Sequence, residues 1–270
     1  MFSRLRWYFE YLTSDPVGFV IYALYLTGTV LFSLIIHEVA HGYVALRCGD
    51  PTAKWMGRLS LDPRKHLDPI GTICMFLLGF GWARPVPVNP RNFSNYRRDD
   101  FLVSIAGITV NMTVFIVCTA LSVAVNRILW QPEFYQYIMD SFGTAEYLVS
   151  PHYMVGYGIM YGELDAVYTA AMAHPWLMWV QRGLLMLATV NLSLAIFNLL
   201  PVPPLDGFHL LNDTILRGRL QLSPQTFRIA QTVLMVLLFS GVFGALLSTV
   251  NTGLYHAVLQ VFLMLTGGVR

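Results

Sequence analysis

The pentapeptide His37-Glu38-Val39-Ala40-His41 lies inside an apolar run from Val17 to Leu46, and it decides the expected fold. No charged side chain precedes Glu38 within that run. On a helix, residues four apart share a face, so two imidazoles stand one turn apart beside a carboxylate. This is the pattern of a zinc site with its own general base. Because ionisable side chains are costly in a bilayer, the motif predicts chemistry inside the membrane.

The composition agrees with a membrane protein. Of the 270 residues, 56% are hydrophobic and 12% are charged, whereas an ordinary soluble domain carries about 25% charged residues. The net charge of +2 gives no indication of a nucleic-acid surface. The three cysteines, Cys48, Cys74 and Cys118, show no CxxC spacing and are too few for a disulfide framework.

The apolar segments predict an all-α polytopic membrane protein with about five to six transmembrane helices, since a crossing needs ~20 apolar residues. We expect a single domain over residues 1–270. Its predicted core helices are 17–46, 101–129 and 176–200, followed by C-terminal helices at 229–250 and 252–265.

Between the first two core helices, the region 55–98 is expected to contain a re-entrant extended or β element. Its apolar piece, 69–82, is short and rich in glycine. The following stretch, Ala83-Arg84-Pro85-Val86-Pro87-Val88-Asn89-Pro90, has alternating prolines that exclude a helix and favour extended chain. Such backbone is tolerated at membrane depth where protein or a water-filled cavity surrounds it.

The distribution of basic residues predicts the orientation. Lys and Arg follow the first core helix, the re-entrant piece and the third core helix, whereas the segment 131–175 has none and carries five acidic residues. We therefore expect the basic regions to be cytoplasmic and the segment 131–175 to be an extra-cytoplasmic insertion.

This topology returns the end of the third core helix to the side where His37 and His41 lie. The chain there reads Asn198-Leu199-Leu200-Pro201-Val202-Pro203-Pro204-Leu205-Asp206-Gly207. Catalytic zinc usually takes three protein ligands and leaves a fourth position for water. Asp206, which follows a proline-broken helix end, is therefore placed to be the third ligand.

These residues resemble the site-2 protease family of intramembrane zinc metalloproteases, in its compact prokaryotic branch without a PDZ domain. The resemblance covers about Leu31 to Leu211. Besides the HExxH motif and Pro204-Leu205-Asp206-Gly207, it includes these stretches: Gly57-Arg58-Leu59-Ser60-Leu61-Asp62-Pro63, Lys65-His66-Leu67-Asp68-Pro69-Ile70-Gly71-Thr72, Phe80-Gly81-Trp82-Ala83-Arg84-Pro85-Val86-Pro87-Val88-Asn89-Pro90, and Ala106-Gly107-Ile108-Thr109-Val110-Asn111, in which Ile108 stands where the family has proline.

The resemblance implies a zinc-dependent intramembrane endopeptidase of the prokaryotic plasma membrane, with its active site toward the cytoplasmic side. It implies one Zn²⁺ per chain held by His37, His41 and Asp206, with Glu38 as base and proton shuttle. The implied substrates are single-span membrane proteins in the lipid bilayer, and the oligomeric state stays open.

Three further roles depend on the resemblance and on physical reasoning. Asn198 is either a side chain that positions the substrate backbone or a buried amide bonded to the broken helix end. The stretch 82–90 offers an edge with which an unwound substrate segment pairs by strand addition. Gly107 and Asn111 are expected to let the core helices pack closely.

Two other classes of protein use histidines and carboxylates inside membranes. A transporter or channel would use His37, Glu38 and His41 as an ion or proton relay, but it predicts charges in several spans and internal repeats, and the sequence shows neither. A desaturase-like oxygenase needs several histidine boxes, and the chain has a single HxxxH. The protease interpretation therefore leads, with the transporter as its alternative.

Overall fold

The computed structural model describes residues 2–69, 71, 83–217, 219–220, 222–240 and 242–269. These residues are mostly helical, and the only β pairing among them consists of isolated bridges rather than a sheet. The helices of the described ranges are α1 (Phe2–Ser14), α2 (Pro16–Arg47), α3 (Thr52–Trp55), α4 (Tyr96–Leu129), α5 (Pro132–Phe142), α6 (Glu146–Val149), α7 (Met154–Tyr161), α8 (Ala166–Ala170), α9 (Leu177–Asn198), α10 (Asp206–Thr214), α11 (Pro224–Ser240) and α12 (Val242–Thr266).

Three of these helices, α2, α4 and α9, are long and apolar enough to cross a membrane, with 32, 34 and 22 residues. They coincide with the three predicted core helices at 17–46, 101–129 and 176–200. The apolar sequence explains their length, because a continuous helix satisfies every backbone polar group where no water is present. The total of five to six crossings stays a prediction.

The C-terminal helices differ from the predicted boundaries of 229–250 and 252–265. The first ends at Ser240 and the second runs from Val242 to Thr266. Asn251 and Thr252 therefore lie inside a helix, because such polar residues reduce helix propensity only slightly and do not interrupt the backbone hydrogen bonds.

Local hydrogen bonds fix where the two longest helices begin. Asp15 caps α2, since its side chain accepts from the backbone N–H of Gly18 at 2.9 Å and Pro16 occupies the first helical position. At the start of α4, Asp99 accepts from the backbone N–H of Asn95 at 2.7 Å. These bonds give partners to backbone N–H groups at the helix starts.

The predicted re-entrant region is described only at its two ends. Ile70 and residues 72–82 lie outside the described residues, so the predicted dip of 69–82 stays a prediction. On either side, Leu67 and Ala83 form an antiparallel bridge, and the N–H of Arg84 donates to the carbonyl of His66 at 2.8 Å. Residues 84–89 follow without helix, as their prolines predict, up to the 3₁₀ turn Pro90–Asn92.

The chain divides into two compact units. The first combines Met1–Glu10, Leu31–Met112 and Ser193–Leu247. Its buried apolar cluster joins α4, α9 and α10 through Ile108, Ala195 and Leu210. This cluster holds together the three helices that carry or contact the candidate site.

The second unit combines Tyr11–Val30, Thr113–Leu192 and Ser248–Arg270, and it contains the predicted insertion 131–175. Buried Glu146 in this insertion accepts hydrogen bonds from His256 at 2.7 Å and from Gln260 at 2.6 Å, both on α12. The insertion is therefore tied to the C-terminal helix. Its extra-cytoplasmic position and the single-domain organisation stay predictions.

Within the first unit, Asp50 ties the end of the extended stretch to the end of α2. Its fully buried carboxylate accepts from the backbone N–H of Asn89 at 2.7 Å, from the amide of Asn92 at 2.7 Å and from the N–H of Thr52 at 3.1 Å. Burial acts to raise the pKa of Asp50, but the hydrogen bonds from Thr52, Asn89 and Asn92 outweigh it and hold the pKa below its ordinary value.

Replacing this carboxylate tests its role in stability. Asp50→Asn is expected to lower the free energy of unfolding by about 1–3 kcal/mol, because buried donors lose a charged acceptor. Since the pKa is lowered in the folded state, the difference from wild type is complete above the unfolded pKa of about 3.9 and disappears as the pH falls through the folded value. Unfolding in detergent micelles between pH 3 and 8 measures it.

The matched control is Asp165→Asn. Asp165 is exposed and caps α8 by accepting from Val167 at 3.0 Å, a role that asparagine fills equally well. Equal stability of wild type and Asp50→Asn at pH 7 would contradict the assignment.

Candidate active site

The HExxH motif lies on α2 with both imidazoles on the same side. The Nε2 atoms of His37 and His41 are 3.0 Å apart, and the rings meet nearly at right angles. Asp206 Oδ2 lies 3.3 Å from each of these nitrogens. The structure therefore brings together the three side chains that the sequence predicts as ligands, and within the described residues they form the only cluster able to hold a metal ion.

The geometry of this cluster fits zinc. Bonds of about 2.0–2.1 Å at tetrahedral angles place ligand atoms about 3.3 Å apart, which matches the observed separations of 3.0 to 3.3 Å. Asp206 Oδ2 is buried and forms no hydrogen bond within the described residues. Such an orphaned oxygen, facing two imidazole nitrogens, is what a cation ligand requires.

Asp206 reaches this point through the turn that follows α9. Helix α9 ends at Asn198, and α10 begins at Asp206 itself. A Cβ on Gly207 would stand 2.3 Å from the carbonyl oxygen of Leu199, so only glycine lets the turn close beneath the aspartate. Although burial acts to raise it, the two neighbouring imidazoles hold the pKa of Asp206 below its ordinary value, so the carboxylate is ionised.

One face of α4 packs directly against the two histidines. His41 Nδ1 lies 2.7 Å from the carbonyl oxygen of Val103, and His37 Nδ1 lies 3.1 Å from the side-chain amide of Asn111. Between them, a Cβ on Gly107 would stand 2.4 Å from His37 Cε1 and 2.5 Å from His41 Nε2. The absence of a side chain at Gly107 therefore leaves the space that the two imidazoles occupy.

Glu38 contacts the extended stretch. Its Oε2 accepts from the backbone N–H of Val86 at 2.7 Å, its only hydrogen bond in the part of the chain that the structure describes. This approach depends on Gly42, since a Cβ there would stand 2.8 Å from Val86 Cγ1 and 2.6 Å from Leu59 Cδ2. The expected general base is thus bonded to the stretch that is expected to bind substrate.

The predicted substrate residue, Asn198, lies at the last turn of α9. Its amide donates to the carbonyl of Leu194, one turn earlier on the same helix, at 3.0 Å. Its substrate role stays a prediction. His209, three residues past Asp206, lies 3.4 Å from Asp100.

Sequence reasoning missed the contacts that α4 and Val86 make with the motif. It assigned Gly107 and Asn111 to helix packing alone and gave Val103 no role. A signal was present, because residues 103, 107 and 111 recur every four positions and so share one face of a helix. Nothing in the sequence indicated which helix that face would meet.

These features, two imidazoles and a carboxylate around one point with a second carboxylate beside them, define a zinc-metalloprotease type of site. A comparison with protein-family models matches residues 25–241 to peptidase family M50. The match spans the motif, the extended stretch and Asp206. The chain belongs to peptidase family M50.

Curated relatives agree with this assignment. A protein of Bacillus subtilis (strain 168) named "Putative zinc metalloprotease YwhC" is 37% identical over 194 residues, covering 72% of this chain and 70% of the relative. "Putative zinc metalloprotease Rip2" of Mycobacterium tuberculosis is 28% identical over 203 residues, or 73% of this chain, which spans 59% of that protein. No solved structure matches the chain.

Adding one methyl group at Gly107 tests the close approach of α4 to the histidines. In Gly107→Ala the new Cβ would overlap both imidazoles, so one of them must leave its position. We expect loss of bound zinc from the purified protein, measured by atomic absorption, together with loss of any peptidase activity.

Gly28→Ala is the matched control. Gly28 lies on α2, and a Cβ there would meet nothing within 4 Å, so alanine should stabilise the helix by up to about 1 kcal/mol and leave zinc content unchanged. Full zinc content in Gly107→Ala would show that the helices do not approach as closely as described.

Proposed function

We propose that this M50 peptidase is a zinc-dependent intramembrane endopeptidase that hydrolyses peptide bonds in or near transmembrane segments of membrane proteins. The observation that carries the proposal is the cluster of His37, His41 and Asp206 with Glu38 beside it, built partly on the apolar helix α2. The cluster supports one Zn²⁺ per chain, because its three ligand atoms surround a single point.

A bound zinc ion would supply Lewis-acid polarisation of the scissile carbonyl and a water made acidic enough to react near neutral pH. The chain itself supplies the proton transfers. Glu38 accepts the proton of the attacking water and then donates it to the leaving amine. Its Oε2 is held by the N–H of Val86, which leaves the other carboxylate oxygen for the proton transfers.

The substrate must be unwound before it can be cut, because a helix keeps its amides in its own hydrogen bonds. The stretch 84–89 is suited to receive an unwound segment along one edge. Pro85 and Pro87 have no N–H, and three other N–H groups are already bonded: Arg84 to His66, Val86 to Glu38, and Asn89 to Asp50. Val88 has the one N–H of this stretch that makes no hydrogen bond within the described residues.

We infer that the substrate backbone pairs beside Val86 and Val88, by strand addition. Because Val86 also bonds Glu38, pairing there would bring a peptide bond next to the general base. Single-span membrane proteins fit this mode, since an isolated span has no neighbouring helices to unpack first.

The basic regions that follow α2 and α9 support an orientation with the site toward the cytoplasm. The plasma membrane of a prokaryote is the location that the family resemblance implies. The lipid bilayer is then the medium of the reaction. The transporter alternative gains no support, because the carboxylate and imidazoles converge on one point instead of forming a chain across the membrane.

Two substitutions separate the roles of base and ligand. Glu38→Gln is expected to keep zinc and to reduce cleavage of a single-span substrate by about 10²–10⁴-fold, since amide cannot accept the proton. Asp206→Ala is expected to lose both zinc and cleavage. Zinc content and cleavage in detergent or nanodiscs measure both variants.

Glu133→Gln, at an exposed position on α5, is the matched control and should behave as wild type. Undiminished cleavage by Glu38→Gln would remove the base from the mechanism. Firmly bound zinc in Asp206→Ala would place the third ligand elsewhere.

Strand pairing is tested at Val88. Val88→Pro removes the N–H without changing the extended backbone that prolines favour, so we expect at least a tenfold loss of cleavage with unchanged zinc content. Val88→Ala retains the N–H and should cleave nearly as wild type does. Equal cleavage by Val88→Pro and Val88→Ala would rule out pairing at this position.

A further inference from the structure

Asn111 is a buried side chain that contacts a candidate metal ligand and has no part in the mechanism. It is fully buried on α4, and its amide nitrogen lies 3.1 Å from His37 Nδ1. Its amide oxygen is also buried and makes no hydrogen bond within the described residues. Because this buried amide contacts a candidate ligand through one atom only, its orientation has consequences.

The orientation of the amide decides the tautomer of His37. If the nitrogen of Asn111 donates to Nδ1, then Nδ1 holds the lone pair and a neutral imidazole carries its hydrogen on Nε2. That same Nε2 lies 3.0 Å from His41 Nε2 and 3.3 Å from Asp206 Oδ2. A ligand nitrogen needs its own lone pair free, so this tautomer is incompatible with metal binding.

Rotating the amide by half a turn gives the tautomer that a ligand at Nε2 requires. The oxygen and nitrogen of an asparagine side chain occupy nearly equivalent positions. With the oxygen toward His37, Asn111 accepts the hydrogen of Nδ1, and Nε2 is left free to bind a cation.

The Nδ1 of His41 also faces a group on α4, and here the identity of the facing atom is not in question. Its Nδ1 lies 2.7 Å from the carbonyl oxygen of Val103, which can only accept. Metal-bound histidines generally donate their second N–H to an oxygen. One face of α4 thus offers an oxygen to each imidazole, from Val103 and from Asn111.

We propose that Asn111 is a positioning residue of the metal centre, whose side-chain oxygen accepts the Nδ1 hydrogen of His37 and holds Nε2 as a ligand for zinc. This proposal rests on the proposed zinc chemistry and assigns Asn111 a role beyond the helix packing expected from the sequence.

The test compares two substitutions of similar size in the full-length protein. Asn111→Leu fills the space but offers no acceptor, whereas Asn111→Asp keeps the oxygen and removes the donor. The Kd for zinc, measured by competition with a chromophoric chelator, is expected to rise about 10–100-fold in Asn111→Leu. In Asn111→Asp it should be unchanged or lower.

A matched control separates this role from general helix packing. Asn126 lies on the same helix, is 1% exposed and accepts from Trp130 at 2.8 Å. Asn126→Leu therefore removes another buried amide and should lower the Tm of the metal-free protein while leaving the Kd for zinc unchanged. The visible spectrum of the cobalt-substituted protein should change in Asn111→Leu alone.

Wild-type zinc affinity in Asn111→Leu would overturn the proposal, since the side chain would then serve packing alone. Weakened zinc binding in Asn111→Asp would overturn it too, because the amide would then act as donor. If Asn111→Leu does not fold, the Asp variant decides by itself. A wild-type chain that binds zinc but cuts no membrane substrate would contradict the proposed proteolysis and leave this proposal intact.

Discussion

Everything at this site depends on bringing one atom from each of three side chains to within 3.0 to 3.3 Å of the others. Two of the atoms come from one helix, where the spacing of four residues puts the two side chains on the same face. The third arrives from a distant turn, and its position depends on backbone packing under Gly207. The cluster therefore depends both on the helical spacing of His37 and His41 and on the long-range packing that positions Asp206.

Helix α4 solves the problem of keeping two imidazoles close together and oriented. A histidine ring can rotate and can carry its hydrogen on either nitrogen, so closeness alone does not make it a ligand. The face of α4 limits both freedoms, because Gly107 admits the rings at contact distance and Val103 faces the Nδ1 of His41. The extended stretch limits Glu38 in a comparable way through the N–H of Val86.

Much of this arrangement is predictable from sequence, because its parts are periodic or are marked by breaks. The apolar runs locate α2, α4 and α9, the HExxH spacing pairs His37 with His41, and the alternating prolines identify the extended stretch. Asp206 required reasoning about topology from the basic residues. The contacts of α4 and Val86 with the motif were beyond reach, since periodicity shows which residues share a face but not which element that face meets. The predicted break between the C-terminal helices at Asn251 instead lies inside α12, because such a polar residue does not interrupt a helix.

The missing side chain at position 107 also has a genetic consequence. Every single-base change in a glycine codon that yields another amino acid introduces a residue with a Cβ atom, from alanine and serine to arginine and tryptophan. At most surface positions such changes are tolerated, but here each one places atoms where two imidazoles lie. We therefore expect every single-base missense change in the codon for Gly107 to disturb the site, although the residue itself takes no part in the chemistry.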